Sequence, residues 1–304
     1  MNHKVSVITP VYKSEQYLEE TLSSLAEQDY SNVEFILVDD CGGDGSVDIC
    51  EYFAEQDSRF VLLRHTENRC ASAGYNTGIE YALENGSEYI MFLDNDDIAE
   101  PNFVSSAVEL ITRTGTDIAA FDYEMFTEQN GIRVKYPDIY KTPPDVLPRN
   151  RIIKPLQDPP YLTLFNGPWI KIRRADLLRK HKDVRFQEVG GVYFGDISFW
   201  AKEFYYAKTF VLSDVCLAKY RVTHTNSTNK INNCDGYFNE FHETRRFITK
   251  HNAHGTNFAK VNFDKSIQTL EGAYNGFDLD EDTKAKLKTV IDRYLSEEKA
   301  LGNC

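Results

Sequence analysis

No stretch of the 304 residues approaches the roughly 20 consecutive apolar positions that a membrane-spanning helix requires. Zinc-finger and redox pairings are missing as well. The six cysteines (Cys41, Cys50, Cys70, Cys216, Cys234, Cys304) make no CxxC pair, and no histidine stands at zinc-finger spacing from them. Neither GxxxxGK[ST] nor GxGxxG occurs, which excludes the standard Gly-rich phosphate cradles. Internal repeats and low-complexity blocks are absent. Basic residues are few, with Lys plus Arg at 34 against Asp plus Glu at 47, so the formal net charge is −13. That balance disfavours nucleic acid as a partner. It also means that an anionic small substrate needs a bound cation or a local Arg/Lys cluster to reverse the sign of the field. Met1-Asn2-His3-Lys4 runs into Val5-Ser6-Val7-Ile8 without a secretory h-region. Reduced thiols and a cytoplasmic location are therefore expected. Peripheral contact with the inner face of the plasma membrane, and self-association, stay open.

What is present is a regular alternation. Apolar runs at 5–9, 33–38, 60–63, 89–93 and 117–121 read as strands, and the segments between them read as helices. Leu18, Leu22 and Leu25 recur at helical spacing behind Ser14, which is expected to cap the first helix. Ser46 is expected to cap the second, and Pro101 to open the helix that runs to about 113. Short strands alternating with longer helices predict βαβ units around a parallel sheet, whose ligands bind at the carboxyl ends of the strands. The polar residues at those ends are Thr9, Asp39-Asp40, Arg64-His65 and Asp94-Asn95-Asp96-Asp97. Seven of the ten prolines lie between Pro137 and Pro160, a stretch that reads as connector. Beyond it come a helix near 175–181, a segment opening at Asp196, strand-like residues 209–222, and about 70 helical residues with solvated faces.

Two acidic groups carry the chemistry. Burying the carboxylates of Asp94, Asp96 and Asp97 together is costly unless a cation compensates them. Oxygen ligands of this kind suit Mg²⁺ or Mn²⁺, which bind through one or two carboxylates and substrate phosphates. A solvated acidic turn with Asp97 or Glu100 capping the next helix at Pro101 is the plain alternative. Asp39-Asp40, before the Gly-rich turn Cys41 to Gly45, could accept hydrogen bonds from a nucleobase or ribose, or simply cap a helix.

The ordered set of motifs resembles the family-2 glycosyltransferases with the GT-A fold. The set comprises Val5 to Tyr12; Val38-Asp39-Asp40; Asn76-Thr77-Gly78; Leu93 to Asp97; Trp169 to Arg174; Gly195-Asp196 with Phe199-Trp200; and Tyr220-Arg221 with Ser227. The resemblance spans roughly 4–228 and implies a Rossmann-like, mostly parallel α/β sheet with flanking helices and a helical C-terminal extension. It divides the chain into a GT-A domain at 1–228, with a nucleotide-binding half at 1–125 and an acceptor half at 126–228, and an extension at 229–304.

By position, the resemblance implies that Thr9, Pro10 and Tyr12 line the nucleoside pocket and that Asp40 bonds the base. Asn76, Asp94 and Asn95 fall beside the donor. Asp96, helped by Asp94, would hold Mn²⁺ or Mg²⁺, and His224 could add a ligand. Asp196 would be the general base, and Trp169 would sit near sugar or acceptor. Lys171, Arg173 and Arg221 are candidate charges for the donor, although as exposed residues they would more often be merely solvated. The family's arginine before Asn76 is replaced by Tyr75, for which Arg69 or Arg64 could substitute. Gly195 and Ile170 also depart from the pattern. The activity implied is inverting transfer of a sugar from a nucleotide-diphosphate donor, a UDP-sugar by expectation, to a hydroxyl of a glycan or lipid-linked acceptor, as in cell-surface polysaccharide synthesis. A sugar nucleotidyltransferase and a catalytically inactive nucleotide-sugar-binding protein are the alternatives. Asp196 as the N-cap of an aromatic helix over 197–206 competes with its role as base.

Overall fold

The computed structural model describes residues 2–137, 149–156, 167–188, 196–222, 235–253, 256–276 and 281–300. Its first half is the expected alternation: β1 (Val5–Val11), α1 (Glu15–Ala26), β2 (Val33–Asp39), α2 (Ser46–Gln56), β3 (Phe60–Arg64), α3 (Cys70–Glu84) and β4 (Tyr89–Phe92). The short β5 (Ile98–Ala99), α4 (Phe103–Thr114) and the long β6 (Ile118–Gln129) follow, then β7 (Ile132–Lys135) and β8 (Ile152–Ile153). A 3-10 turn at Pro168–Ile170 leads into β9 (Lys171–Arg174) and α5 (Ala175–Lys180). The chain continues through α6 (Asp196–Tyr206), β10 (Phe210–Arg221), α7 (Asp235–Lys250), α8 (Asn257–Gly276) and α9 (Glu281–Ala300).

One sheet runs in the order β3-β2-β1-β4-β9-β6-β10-β5, with β7 on β6 and β8 on β10. The β3-β2-β1-β4 run is parallel, whereas β9 lies antiparallel to both β4 and β6. The boundary expected at 125/126 falls inside β6, so no break between elements marks it.

Side chains alternate between two apolar layers, as strand geometry demands. Val5, Val7, Phe35, Leu37 and Met91 face α1 and α4, while Ile8, Ile36, Val38, Ile90 and Phe92 face α3. Each fully buried side chain of this size contributes roughly 1.5–3 kcal/mol through its removal from water. Helix α3 lies unusually close to β1. A Cβ on Gly74 would stand 2.9 Å from Pro10 Cβ, and one on Gly78 would stand 2.3 Å from Ile8 Cγ2. The glycine of Asn76-Thr77-Gly78 is therefore a packing requirement.

Several local expectations are corrected. Ser14 precedes α1 but makes no capping bond through its hydroxyl. Ser46 is the first residue of α2, not its cap. Helix capping is instead reciprocal. Asp44 Oδ2 accepts the Glu15 N–H at 3.2 Å, and Glu15 Oε2 accepts the Gly45 N–H at 3.0 Å. The Gly-rich turn thus ties α1 to α2. Pro101 lies in the turn before α4, which starts at Phe103. The fifth expected strand continues past Phe121 to Gln129, because Asn130 and Gly131, both at positive φ, turn it into a hairpin with β7. Cys41, Cys50 and Cys70 are free thiols. No described helix is long and apolar enough to cross a membrane.

Candidate active site

Parallel pairing aligns the ends of β1, β2 and β4, which brings their polar residues to one edge. Asp40 is buried, and its carboxylate organises the start of α3. Oδ1 accepts the Arg69 N–H at 2.8 Å and lies 2.7 Å from His65 Nδ1, while Oδ2 accepts from Asn68 Nδ2 at 3.0 Å. His65 Nε2 is 2.9 Å from the Thr77 hydroxyl. A carboxylate offers about four lone-pair sites, and these neighbours take three of those on Asp40. Thr9 is fully buried and its hydroxyl has no hydrogen-bond partner among the described residues. Tyr12, by contrast, is exposed beside Lys13.

The turn after β4 carries Asp94, Asn95 and Asp96 half-buried and Asp97 fully buried. Asp97 does not cap α4, whose N-cap is Asn102. Its Oδ1 accepts the Arg221 N–H at 2.9 Å, and its Oδ2 is a buried acceptor with no partner among the described residues. Burial, reinforced by Asp96 and Asp94, pushes the Asp97 carboxyl far above the usual carboxylate range. Burial, then the Asp94 charge, raises Asp96 to about 7 against the opposing pull of Arg221. Asp94 is also raised by burial. Arg221 offsets only part of this cost, and an acidic, buried turn of this kind is an environment that a divalent cation suits. Among the described residues no three His, Cys, Asp or Glu side chains form a ready cage. An ion that binds through one or two carboxylates plus substrate phosphates needs none. Asp94 and Asp96 fit that mode.

The replaced arginine is explained here. Tyr75 is buried, stacks on Phe186 with centroids 4.7 Å apart, and donates its hydroxyl to Asp94 Oδ1. Arg69 pairs with Glu188 and Arg64 with Glu51, so neither guanidinium takes the place. Burial, then the charges of Asp94, Asp97 and Asp196, push the Tyr75 phenol far above its ordinary range. Of these influences that of Asp196 is the smallest. The amide of Asn76 grips the 186–188 segment, accepting from Phe186 N and donating to Phe186 O and Glu188 Oε1, each at 2.9 Å.

Three expected exposed cations are buried. Lys171 and Arg173, two apart on β9, point to one face beneath α6. Lys171 Nζ lies 5.4 Å from the Phe204 ring, and burial lowers its pKa to about 8. Arg173 pairs with Glu203 of α6 and covers the Phe92 ring at 4.2 Å. Arg221 pairs with Glu20 and Glu128, donates from Nε to the Asp96 carbonyl at 2.8 Å, and lies over Tyr17. Its role in this structure is to fasten the acidic turn to β10. Trp169 is half-buried, stacked on Tyr220 at 5.2 Å and edge-on to Tyr123 at 4.7 Å. His224 lies outside the described residues.

Asp196 is the first residue of α6. The Ser198 N–H, which a local N-cap would take, is accepted by Glu240 Oε2 of α7 at 2.8 Å. Sequence reasoning missed Glu240, since a glutamate in a charged helix carries no signal of burial.

The family described as Glycosyl transferase family 2 matches residues 6–181. The chain is 36% identical to glycosyltransferase GlyA of Streptococcus pneumoniae serotype 4 over 132 residues, 43% of this chain and 18% of that protein. It is 27% identical to an uncharacterized glycosyltransferase of Haemophilus influenzae over 311 residues, 97% of this chain and 87% of that protein. The chain spans 18% and 42% of the pneumococcal relatives GlyA and GlyG, less than half of either. Among solved structures, TarS 1–349 of S. aureus in complex with UDP-GlcNAc superposes with a TM-score of 0.74 at 19% identity, covering 98% of this chain and 83% of that one. That likeness concerns the fold, which is GT-A. Because the family match extends over more than half of its length, the chain belongs to glycosyl transferase family 2.

Proposed function

We propose that the protein transfers a sugar, with inversion, from a nucleotide-diphosphate donor to a hydroxyl of a glycan or lipid-linked acceptor. The observation that carries this is the row of polar residues at the aligned strand ends, the buried Asp40 after β2 and the Asp94–Asp97 turn after β4, in a chain of glycosyl transferase family 2. The donor would lie along the strand ends, its base against Asp40 and Tyr12 and its diphosphate toward Asp94 and Asp96. A UDP-sugar is the expected donor, in keeping with the nucleotide sugar bound by the structurally similar TarS. Mn²⁺ or Mg²⁺, when bound at Asp96 and Asp94, would neutralise charge on the departing diphosphate.

Asp196 would act as general base. The acceptor oxygen attacks the anomeric carbon as the bond to the diphosphate breaks, the hydroxyl proton passes to the Asp196 carboxylate, and the nucleoside diphosphate leaves with the electron pair. Direct displacement inverts the anomeric centre. Trp169, Tyr123 and Tyr220 form an aromatic group suited to packing against a sugar face. The preferred setting is cytoplasmic, with peripheral membrane contact where the acceptor is lipid-linked.

The test has two arms. Thermal shifts with a panel of nucleotide sugars, with and without Mn²⁺, should give stabilisation by one donor that depends on the metal. Asp196→Asn should abolish transfer while leaving that stabilisation nearly intact. Wild-type-like transfer by Asp196→Asn would refute the role of base.

A further inference from the structure

The N-terminus of α6 is closed from another element. The first turn of a helix leaves backbone N–H groups without intrahelical partners, and a polar residue just before the helix normally accepts one. Here position 195 is glycine, which has no side chain to do so. Glu240 of α7 accepts the Ser198 N–H instead, and Glu240 itself is fully buried. Its other oxygen lies 3.1 Å from the Gln187 amide, which in its bonded orientation also donates to the Asn239 carbonyl at 3.0 Å. Gln187 belongs to the segment that Asn76 grips from α3. One turn along α6, Lys202 pairs with Glu243 of α7 at 2.8 Å, and from below Glu203 pairs with Arg173 of β9.

We propose that Glu240 is a positioning residue for Asp196. By supplying the missing cap, it sets where α6 begins and so where the base points. The C-terminal extension is then part of the catalytic apparatus. This inference rests on the reading of Asp196 as general base. A further observation supports it: Glu240 lies close enough to Asp196 to feel its charge.

Glu240→Met keeps the length of the side chain and removes the acceptor, whereas Glu240→Gln keeps a carbonyl oxygen for Ser198. A displacement of about 1 Å at a reacting group costs on the order of a hundredfold in rate. Glu240→Met should accordingly lower kcat by roughly ten- to a hundredfold, with donor KM within about threefold of wild type. Glu240→Gln should restore most of kcat. Hydrogen exchange at the start of α6 should quicken in the Met variant and not in the Gln variant. Wild-type kcat in Glu240→Met overturns the proposal. So does a parallel loss of kcat and donor binding in both variants, which marks a purely structural role. Asp196→Asn separates the two readings: if it transfers normally, the base assignment fails. If it is inactive while Glu240→Met is normal, only the positioning role fails.

Discussion

On the β3-β2-β1-β4 side of the sheet, the strands that pair in parallel bury mainly apolar side chains, and β1 and β4 contain no charged residue. Carboxylates appear where those strands stop. On the β9-β6-β10 side, Lys171, Arg173 and Arg221 are buried within or at the end of strands, and Glu203 and Glu240 are buried on the helices above. The first arrangement makes a stiff floor whose polar groups face outward at one edge. The second holds α6, the acidic turn and α7 in relative register through ion pairs and a cap, all of which need a particular geometry to be tolerated.

Removing Arg173 should produce the largest effect in stability. It would leave Glu203 buried and unpaired, and such losses cost about 3–5 kcal/mol. Arg173→Met should therefore lower the denaturation midpoint sharply. The double variant Arg173→Met/Glu203→Leu should recover much of the loss, and failure to recover would mean that the pair does more than neutralise itself.

The next effect is a pH dependence. Burial raises Glu240 from 4.5 to about 7 in the folded protein. The unfolded chain therefore releases this proton first, so Glu240 costs nothing below about 4.5. Its cost grows as pH rises toward about 7, and is constant above that. The difference in unfolding free energy between wild type and Glu240→Gln should shift by up to about 3 kcal/mol across that window. A difference that does not change with pH would contradict the buried, charge-sensitive setting of Glu240.

On the apolar side, Gly78→Ala forces a Cβ against Ile8 and should cost about 1–3 kcal/mol. The loss should not change across the same pH window, in contrast with Glu240. The smallest expected effect is that of Tyr75→Phe, at about 1 kcal/mol, because water can reach the half-buried Asp94 once the phenol is gone. Calorimetry would place it against Gly78→Ala, and a larger loss would mean that Asp94 depends on this bond for its position.

Strands β1, β2 and β4 were legible because strands buried on both faces read as near-continuous apolar runs. The strand-end acids were legible for the same reason, since each marks where such a run stops. The short β5 and β8 were not, because two residues carry no periodicity. The hairpin at Asn130-Gly131 did have a signal, the Asn-Gly pair whose positive φ angles suit a tight turn. Lys171, Arg173 and Arg221 were expected at the surface, as cations are when their partners are unknown. Their acids lie far along the chain, at Glu203 for Arg173 and at Glu20 and Glu128 for Arg221.

The sequence by itself determined the alternation of strands and helices, the family and the acidic turn after β4, because each is written in residues close together along the chain. Tertiary structure alone decided that Tyr75 would hold Asp94, that Arg221 would anchor the acidic turn, and that a glutamate of the C-terminal extension would cap the helix carrying Asp196. Hydrophobic periodicity is local, and a sequence displays it directly. Compensation of buried charge is not local, since it depends on which distant groups the folded sheet brings within a few ångströms.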